Sequence, residues 1–339
     1  MKNSLLILFV ASVLAVQAQH REDTVGTVTP TRQTIVHDPV MIKQGNTYYL
    51  FCTGWGISFF SSKDFKNWKK EKPVFASAPE WAVKDVLGFK GHIWAPDISY
   101  HDGNYYLYYA VSAFGKNTSC IGLAVNKTLD PASPDYKWYD MGKVIQSVPG
   151  RDMWNAIDPN EIEDEKGNHW LTFGSFWDGI KLVKLSNDLK SVAIPEEWYT
   201  IASRPRDFSI PDTAAGDAAI EAPFIIKKDK YYYLFVSWDY CCRGEKSNYK
   251  VVAGRSEKIT GPYLDKAGVS MNVNGGSLMV QGDNKEWFGA GHNAVCAFND
   301  NYYIIYHGYD AHDKGKPKLI IDQLKWNNDG WPEVIIENK

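Results

Sequence analysis

Three carboxylates sit in short segments of similar make-up: His37-Asp38-Pro39, Ile157-Asp158-Pro159 and Ile220-Glu221-Ala222-Pro223. Two more segments, Trp94-Ala95-Pro96-Asp97 and His292-Asn293-Ala294, complete a set spread along the chain. Carboxyl groups that converge can divide labour. One protonates a departing oxygen while another activates water or attacks carbon, the minimum equipment for hydrolysing a glycosidic bond. Convergence also raises at least one pKa, because neighbouring carboxylates repel, and this leaves a proton available near neutral pH. A single Asp-Pro after a strand only caps a turn. Three carboxylates in equivalent positions call for more than capping.

What brings them together is a repeat. A polar turn followed by an aromatic strand recurs as Gly45-Asn46-Thr47-Tyr48-Tyr49-Leu50-Phe51, Gly103-Asn104-Tyr105-Tyr106-Leu107-Tyr108-Tyr109 and Gly167-Asn168-His169-Trp170-Leu171-Thr172-Phe173. It recurs again as Lys230-Tyr231-Tyr232-Tyr233-Leu234-Phe235 and Asn301-Tyr302-Tyr303-Ile304-Ile305-Tyr306. Successive copies start roughly 57 to 71 residues apart, the spacing of one supersecondary unit per repeat. Each reads as a β-hairpin closed by Gly, Asn or Asp. Further short strands follow at residues 57–61, 121–125, 180–185, 250–254 and 319–324, and no amphipathic helical period persists for three turns. An all-β, five-bladed β-propeller is expected. The carboxylate segments then begin the first strand of each blade, the strand that lines the central channel. Asp38, the Trp94–Asp97 segment, Asp158, Glu221 and His292 would face one space.

These segments, with Phe173-Gly174-Ser175-Phe176-Trp177-Asp178-Gly179-Ile180 and Gly289-Ala290-Gly291-His292-Asn293, resemble glycoside hydrolase family 43, and within it the endo-1,5-α-L-arabinanases. The ordered set runs from about residue 34 to 334. The resemblance implies an inverting hydrolase of arabinan or arabino-oligosaccharides. In it Asp38 is the general base, Glu221 the general acid, and Asp158 the group that tunes the acid and orients substrate. It implies a central cation, calcium or sodium, bound by His292 and largely by water. His37, Trp94, Phe114, Asn155 and Ser175 are expected to contact sugar, with Trp177 and Arg243 added from loops at the same end. The chain finishes soon after its fifth repeat, so an open groove and internal cleavage are expected. Exo-acting arabinanase, α-L-arabinofuranosidase and β-xylosidase activities on the same fold stay open. A sugar-binding propeller without catalysis is the reading of another class, and it predicts neutral residues where this chain keeps carboxylates.

Composition agrees and excludes other classes. Lys and Arg total 37 against 40 Asp and Glu, scattered rather than clustered, which gives no nucleic-acid groove or polybasic membrane patch. The 13 Trp, 20 Tyr and 15 Phe suit sugar stacking and sheet cores alike. Residues 1–18 read as an export signal, with Lys2, an apolar run from Leu5 to Val16 and a small-x-small site at Val16-Gln17-Ala18. That run, about twelve residues, is short of the roughly 20 that span a bilayer, though a retained anchor is a second reading. Residues 19–339 are then one catalytic domain of an exported protein, expected to be a monomer without a membrane span. Five cysteines at irregular spacing describe neither a disulfide framework nor a zinc site. Adjacent Cys241 and Cys242 are read as small buried hydrophobes, with a vicinal bridge as the alternative.

Overall fold

Aromatic strands that read as apolar on both faces need a neighbour on each side, and the ring of blades supplies it. The computed structural model of the protein describes residues 24–336; the expected export signal lies outside them. Five antiparallel sheets follow one another along the chain, two of five strands and three of four. Their innermost strands are Val40–Gln44, His92–His101, Asn160–Glu163, Ile220–Lys228 and Trp287–Phe298. Each pairs with the aromatic strand that follows it. The chain is a five-bladed β-propeller. Its one α-helix among the described residues is Glu80–Asp85, and no helix there is long and apolar enough to cross a membrane.

Five apolar clusters fill the five gaps between consecutive blades. Phe51 and Phe59 of the first blade pack with Ile93 and Tyr109 of the second, and Tyr108 and Ile121 with Leu171 and Phe173 of the third. Leu182 meets Leu234 between the third and fourth blades, and Phe235 meets Ile304 between the fourth and fifth. Leu50 and Trp68 close the ring against Ile305 and Leu319. Burying a large apolar side chain contributes roughly 1.5–3 kcal/mol, so the second strand of each blade, in contact with both neighbours, carries much of the stability. Closure is also hydrogen-bonded: Leu319 N–H donates to Thr34 O at 3.0 Å.

The entry to each inner strand repeats one backbone feature. Asp38, Ala95, Asp158, Ala222 and His292 all have φ between 41° and 57°, a left-handed conformation that side chains other than glycine rarely adopt. In the second, fourth and fifth blades it coincides with a register shift in the inner pair, a bulge of the kind that re-aims side chains. These residues, rather than the carboxylates as such, are the equivalent positions. Glu221 stands one place earlier, in register with His37 and Trp94. The expectation that Glu221 and the two Asp occupy matching positions is corrected by this offset.

A left-handed residue in a bulge leaves its amide without a ladder partner, and a buried amide needs one. In four blades the preceding blade supplies it by a side chain. Thr53 Oγ1 accepts from Ala95 N at 2.8 Å, Asp158 Oδ2 from Ala222 N at 3.0 Å, Ser237 Oγ from His292 N at 2.9 Å and His307 Nδ1 from Asp38 N at 3.2 Å.

Candidate active site

Asp38, Asp158, Glu221 and His292 converge where the inner strands begin. Asp38 is buried, and three side chains turn polar atoms to its carboxyl. His37 Nδ1 and His292 Nδ1 approach its Oδ1 at 2.7 and 2.9 Å, and Thr53 Oγ1 donates to Oδ2 at 2.5 Å. Burial opposes its charge, but the adjacent His292 and His37 outweigh burial and hold the carboxyl well below its usual range. Asp158 goes the other way. Burial, with the Glu221 and Asp38 carboxylates adding to it against the pull of His292, pushes it up to about 8. His292 is raised to about 9: burial disfavours its cation, and Asp38 and Asp158 more than compensate. At neutral pH the centre therefore holds an ionised Asp38, an imidazolium at His292 and a protonated Asp158.

Glu221 is held at both oxygens. Ser175 Oγ donates to Oε2 at 2.8 Å and the buried Tyr249 hydroxyl to Oε1 at 2.7 Å. Ser175 also forms an isolated backbone bridge to Glu221, which ties the Phe173–Ile180 segment to the fourth blade. Both hydroxyls rotate and can accept as well as donate, so the same pair serves either protonation state of a proton-transferring group.

His37 belongs to a network that fixes Asp38. Its Nε2 meets the Tyr309 hydroxyl at 2.8 Å, which also meets His307 Nε2 at 3.2 Å and accepts from Cys242 N at 2.7 Å. The His37 and His307 rings stack with centroids 4.0 Å apart. His307 accepts at Nδ1 from Asp38 N, so its neutral tautomer donates from Nε2 to Tyr309; burial and the neighbouring His37 hold its pKa well below the ordinary value. Tyr309 then donates to His37 Nε2, and His37 donates from Nδ1 to Asp38. Both His37 nitrogens are committed to protein, so it holds Asp38 rather than offering a hydrogen bond to sugar.

Other expected contacts divide. Trp94 is half-buried at the channel mouth, with its indole N–H on His92 Nδ1 at 3.0 Å. Phe114 is 82% exposed on the loop that follows the second aromatic strand, on the carboxylate side. Arg243 is exposed with its guanidinium 3.8 Å from the Tyr240 ring centroid. Asn155 is buried and its side-chain oxygen has no hydrogen-bond partner. Trp177 does not fit its expected role. It is 1% exposed, and its indole N–H donates to Asp212 O at 2.8 Å, so its ring anchors the segment before the fourth blade and presents nothing to substrate. Cys241 and Cys242 form a vicinal disulfide, against the reading of them as buried hydrophobes. Thr53, Tyr249, His307 and Tyr309 were not anticipated. They lie at the ends of second and third strands, where no turn motif marks them.

The implied cation turns on His292. Its Nδ1 is taken by Asp38, while its Nε2 has no protein partner among the described residues. The sets of described donors close enough together to hold an ion do not include it. The residues fit an ion held by one imidazole nitrogen with water completing the shell, an arrangement that suits a hard cation. Such an ion would displace the imidazole proton and supply the same positive charge.

Comparison with known proteins agrees with this geometry. Residues 28–332 match the family described as Glycosyl hydrolases family 43. The chain is 54% identical over 303 residues to an extracellular exo-α-(1→5)-L-arabinofuranosidase of Cellvibrio japonicus, covering 89% of this chain and 87% of that protein. It is 43% identical over 302 residues to an extracellular endo-α-(1→5)-L-arabinanase of Bacillus subtilis, covering 88% and 87%. Among solved structures, the Cellvibrio cellulosa α-L-arabinanase complexed with arabinohexaose superposes with a TM-score of 0.88 at 54% identity, over 89% of this chain and 96% of that one.

Proposed function

This chain belongs to glycoside hydrolase family 43, and from that membership we propose that it hydrolyses the α-1,5-L-arabinofuranosyl linkages of arabinan by single displacement. The observation that carries the reading is the contrast in what surrounds the two carboxyls: Asp38 is kept ionised by two histidines and a threonine, while Glu221 is met by two rotatable hydroxyls. Asp38 accepts a proton from water as that water attacks the anomeric carbon. Glu221 gives its proton to the glycosidic oxygen as the bond to it breaks, and the product leaves with inverted configuration. Asp158 holds the bulge that aims Glu221 and, protonated, adds no repulsion when Glu221 ionises. A cation on His292, when bound, adds positive charge that favours the ionised carboxylates.

The relatives divide over where the chain is cut. The 54% identical relative is named for exo action and the 43% identical one for endo action. The higher identity favours release from a chain end. Internal cleavage is the second reading, favoured by the exposed Phe114 and Trp55, 82% and 53% exposed, both at the carboxylate end of the second sheet. Both relatives are named extracellular, which supports the export reading of residues 1–18. Digestion of linear 1,5-α-arabinan tests both points. One short product from the first time point means exo action and a ladder of oligomers means endo action. Hydrolysis of arabinoxylan with arabinan untouched would overturn the substrate.

A further inference from the structure

We propose that His101, His169 and Glu163 bind a divalent transition-metal ion of the zinc class at the end of the propeller opposite the carboxylate centre. His101 closes the inner strand of the second blade, Glu163 closes that of the third, and His169 opens the return strand of the third. Ala95, beside the carboxylate centre, precedes His101 by six residues of the same strand, about 20 Å at ~3.3 Å per residue. The two sites share no residue.

The ligands are placed by the sheet. Glu163 and His169 face each other directly in the strand pair, and Glu161, two residues before Glu163, points to the same side. Donor atoms of His101, Glu163 and His169 all lie within 4.8 Å of one another. His101 Nδ1 is 3.9 Å from Glu163 Oε2. Small side-chain rotation brings such a set to the roughly 2.0–2.2 Å bonds of a zinc centre.

Glu161 separates this set from an ordinary salt-bridge cluster. Its side chain is 1% exposed, and its two oxygens take one imidazole each: His101 Nε2 at 2.8 Å and His169 Nδ1 at 2.8 Å. A buried carboxylate that accepts one N–H from each ring fixes both tautomers and orientations, as the outer-shell partners of metal-binding histidines do. It leaves each ring a second nitrogen. That of His101 faces Glu163, and that of His169 has no partner among the described residues. Access is open, since Glu163 is half exposed and the imidazoles are 19% and 15% exposed. Two imidazoles and one carboxylate favour a borderline ion such as zinc over calcium or magnesium, with water in the fourth position. The ion would clamp the second blade to the third. This inference does not rest on the catalytic reading of Asp38 and Glu221.

The test uses untagged mature protein stripped with EDTA and then titrated with zinc or cobalt chloride. Binding of zinc to this site should raise the thermal midpoint, and cobalt should give the visible bands of a low-symmetry four-coordinate ion. Glu163→Gln and His169→Gln should each weaken zinc binding at least about tenfold and leave arabinan hydrolysis of the zinc-free protein unchanged. Glu163 is half exposed, so its variant keeps the fold even if that of His169 does not. His292→Gln should retain the zinc. No zinc binding by the parent protein, or affinity unchanged in Glu163→Gln, would overturn the site.

Discussion

The amide of Ala222 donates to Asp158 Oδ2 across 3.0 Å, so a carboxyl group of the third blade fastens the residue that follows Glu221 in the fourth. Ala222 has φ 54°, a strained conformation for alanine. Without that acceptor the bulge loses its anchor, and Glu221 loses its aim. Asp158 thus has two separable duties, one geometric and one electrostatic. Asparagine at this position keeps an acceptor for the amide but removes the titrating group. Asp158→Asn, neutral like the protonated acid it replaces, should lower kcat on arabinan by about tenfold, the scale of one altered hydrogen bond, with thermal stability near that of the parent. Asp158→Ala should lower kcat further and also destabilise, by about 1–3 kcal/mol for an orphaned buried amide. Steady-state kinetics and thermal unfolding of both variants check this.

Glu221 can be isolated by the leaving group. Glu221→Gln should cut arabinan hydrolysis by 10³-fold or more, in the order of a lost general acid. It should do far less to a 4-nitrophenyl arabinofuranoside, whose phenolate departs without a proton. Equal losses on both substrates would remove Glu221 from the acid role.

Tyr249 tests the support of that acid. Tyr249→Phe removes the hydroxyl 2.7 Å from Glu221 Oε1 and leaves the buried ring in place. The lost hydrogen bond should lower kcat by about tenfold, roughly 1.4 kcal/mol, with KM nearly unchanged. A KM effect alone would make Tyr249 a substrate contact.

Asp97 gives a pH dependence away from the centre formed by Asp38, Asp158 and Glu221. Burial, with the nearby Glu161 charge and against the Glu161 N–H that donates to it at 2.7 Å, raises this carboxyl from 3.8 to about 7. The folded protein therefore binds a proton that the unfolded chain has released between those two values. Its stabilising contribution is complete below about pH 4 and is lost as pH rises through about 7. Asp97→Asn, which keeps the acceptor, should show a smaller fall in thermal midpoint between pH 5 and pH 8 than the parent. Parallel curves would contradict it.

Phe235 has no exposed surface and lies in the cluster between the fourth and fifth blades. Phe235→Ala should cost about 3–5 kcal/mol in urea unfolding.

The propeller was legible because each blade repeats one hairpin, and an aromatic strand buried on both faces leaves a plain trace in composition. The carboxylates were legible for a related reason: Asp38 and Asp158 each precede a proline at the entry to an inner strand. The offset of Glu221 was not, because it follows from bulges visible only in backbone conformation. His307 and Tyr309 acquire their roles where the fifth blade meets the first, and Tyr249 where the third strand of the fourth blade reaches Glu221 on the inner strand; nothing in their flanking residues records either contact. Trp177 misled for the opposite reason. It sits beside Ser175 and in a motif that touches the site, but the backbone turns its ring inward.

The central claim is that Asp38 directs water to the anomeric carbon while Glu221 protonates the oxygen opposite, with no covalent intermediate. Proton NMR of the first reducing ends released from linear 1,5-α-arabinan, read before mutarotation, tests it most directly. The account predicts β-configured ends that later equilibrate; α-configured ends at the earliest time would mean retention and contradict it.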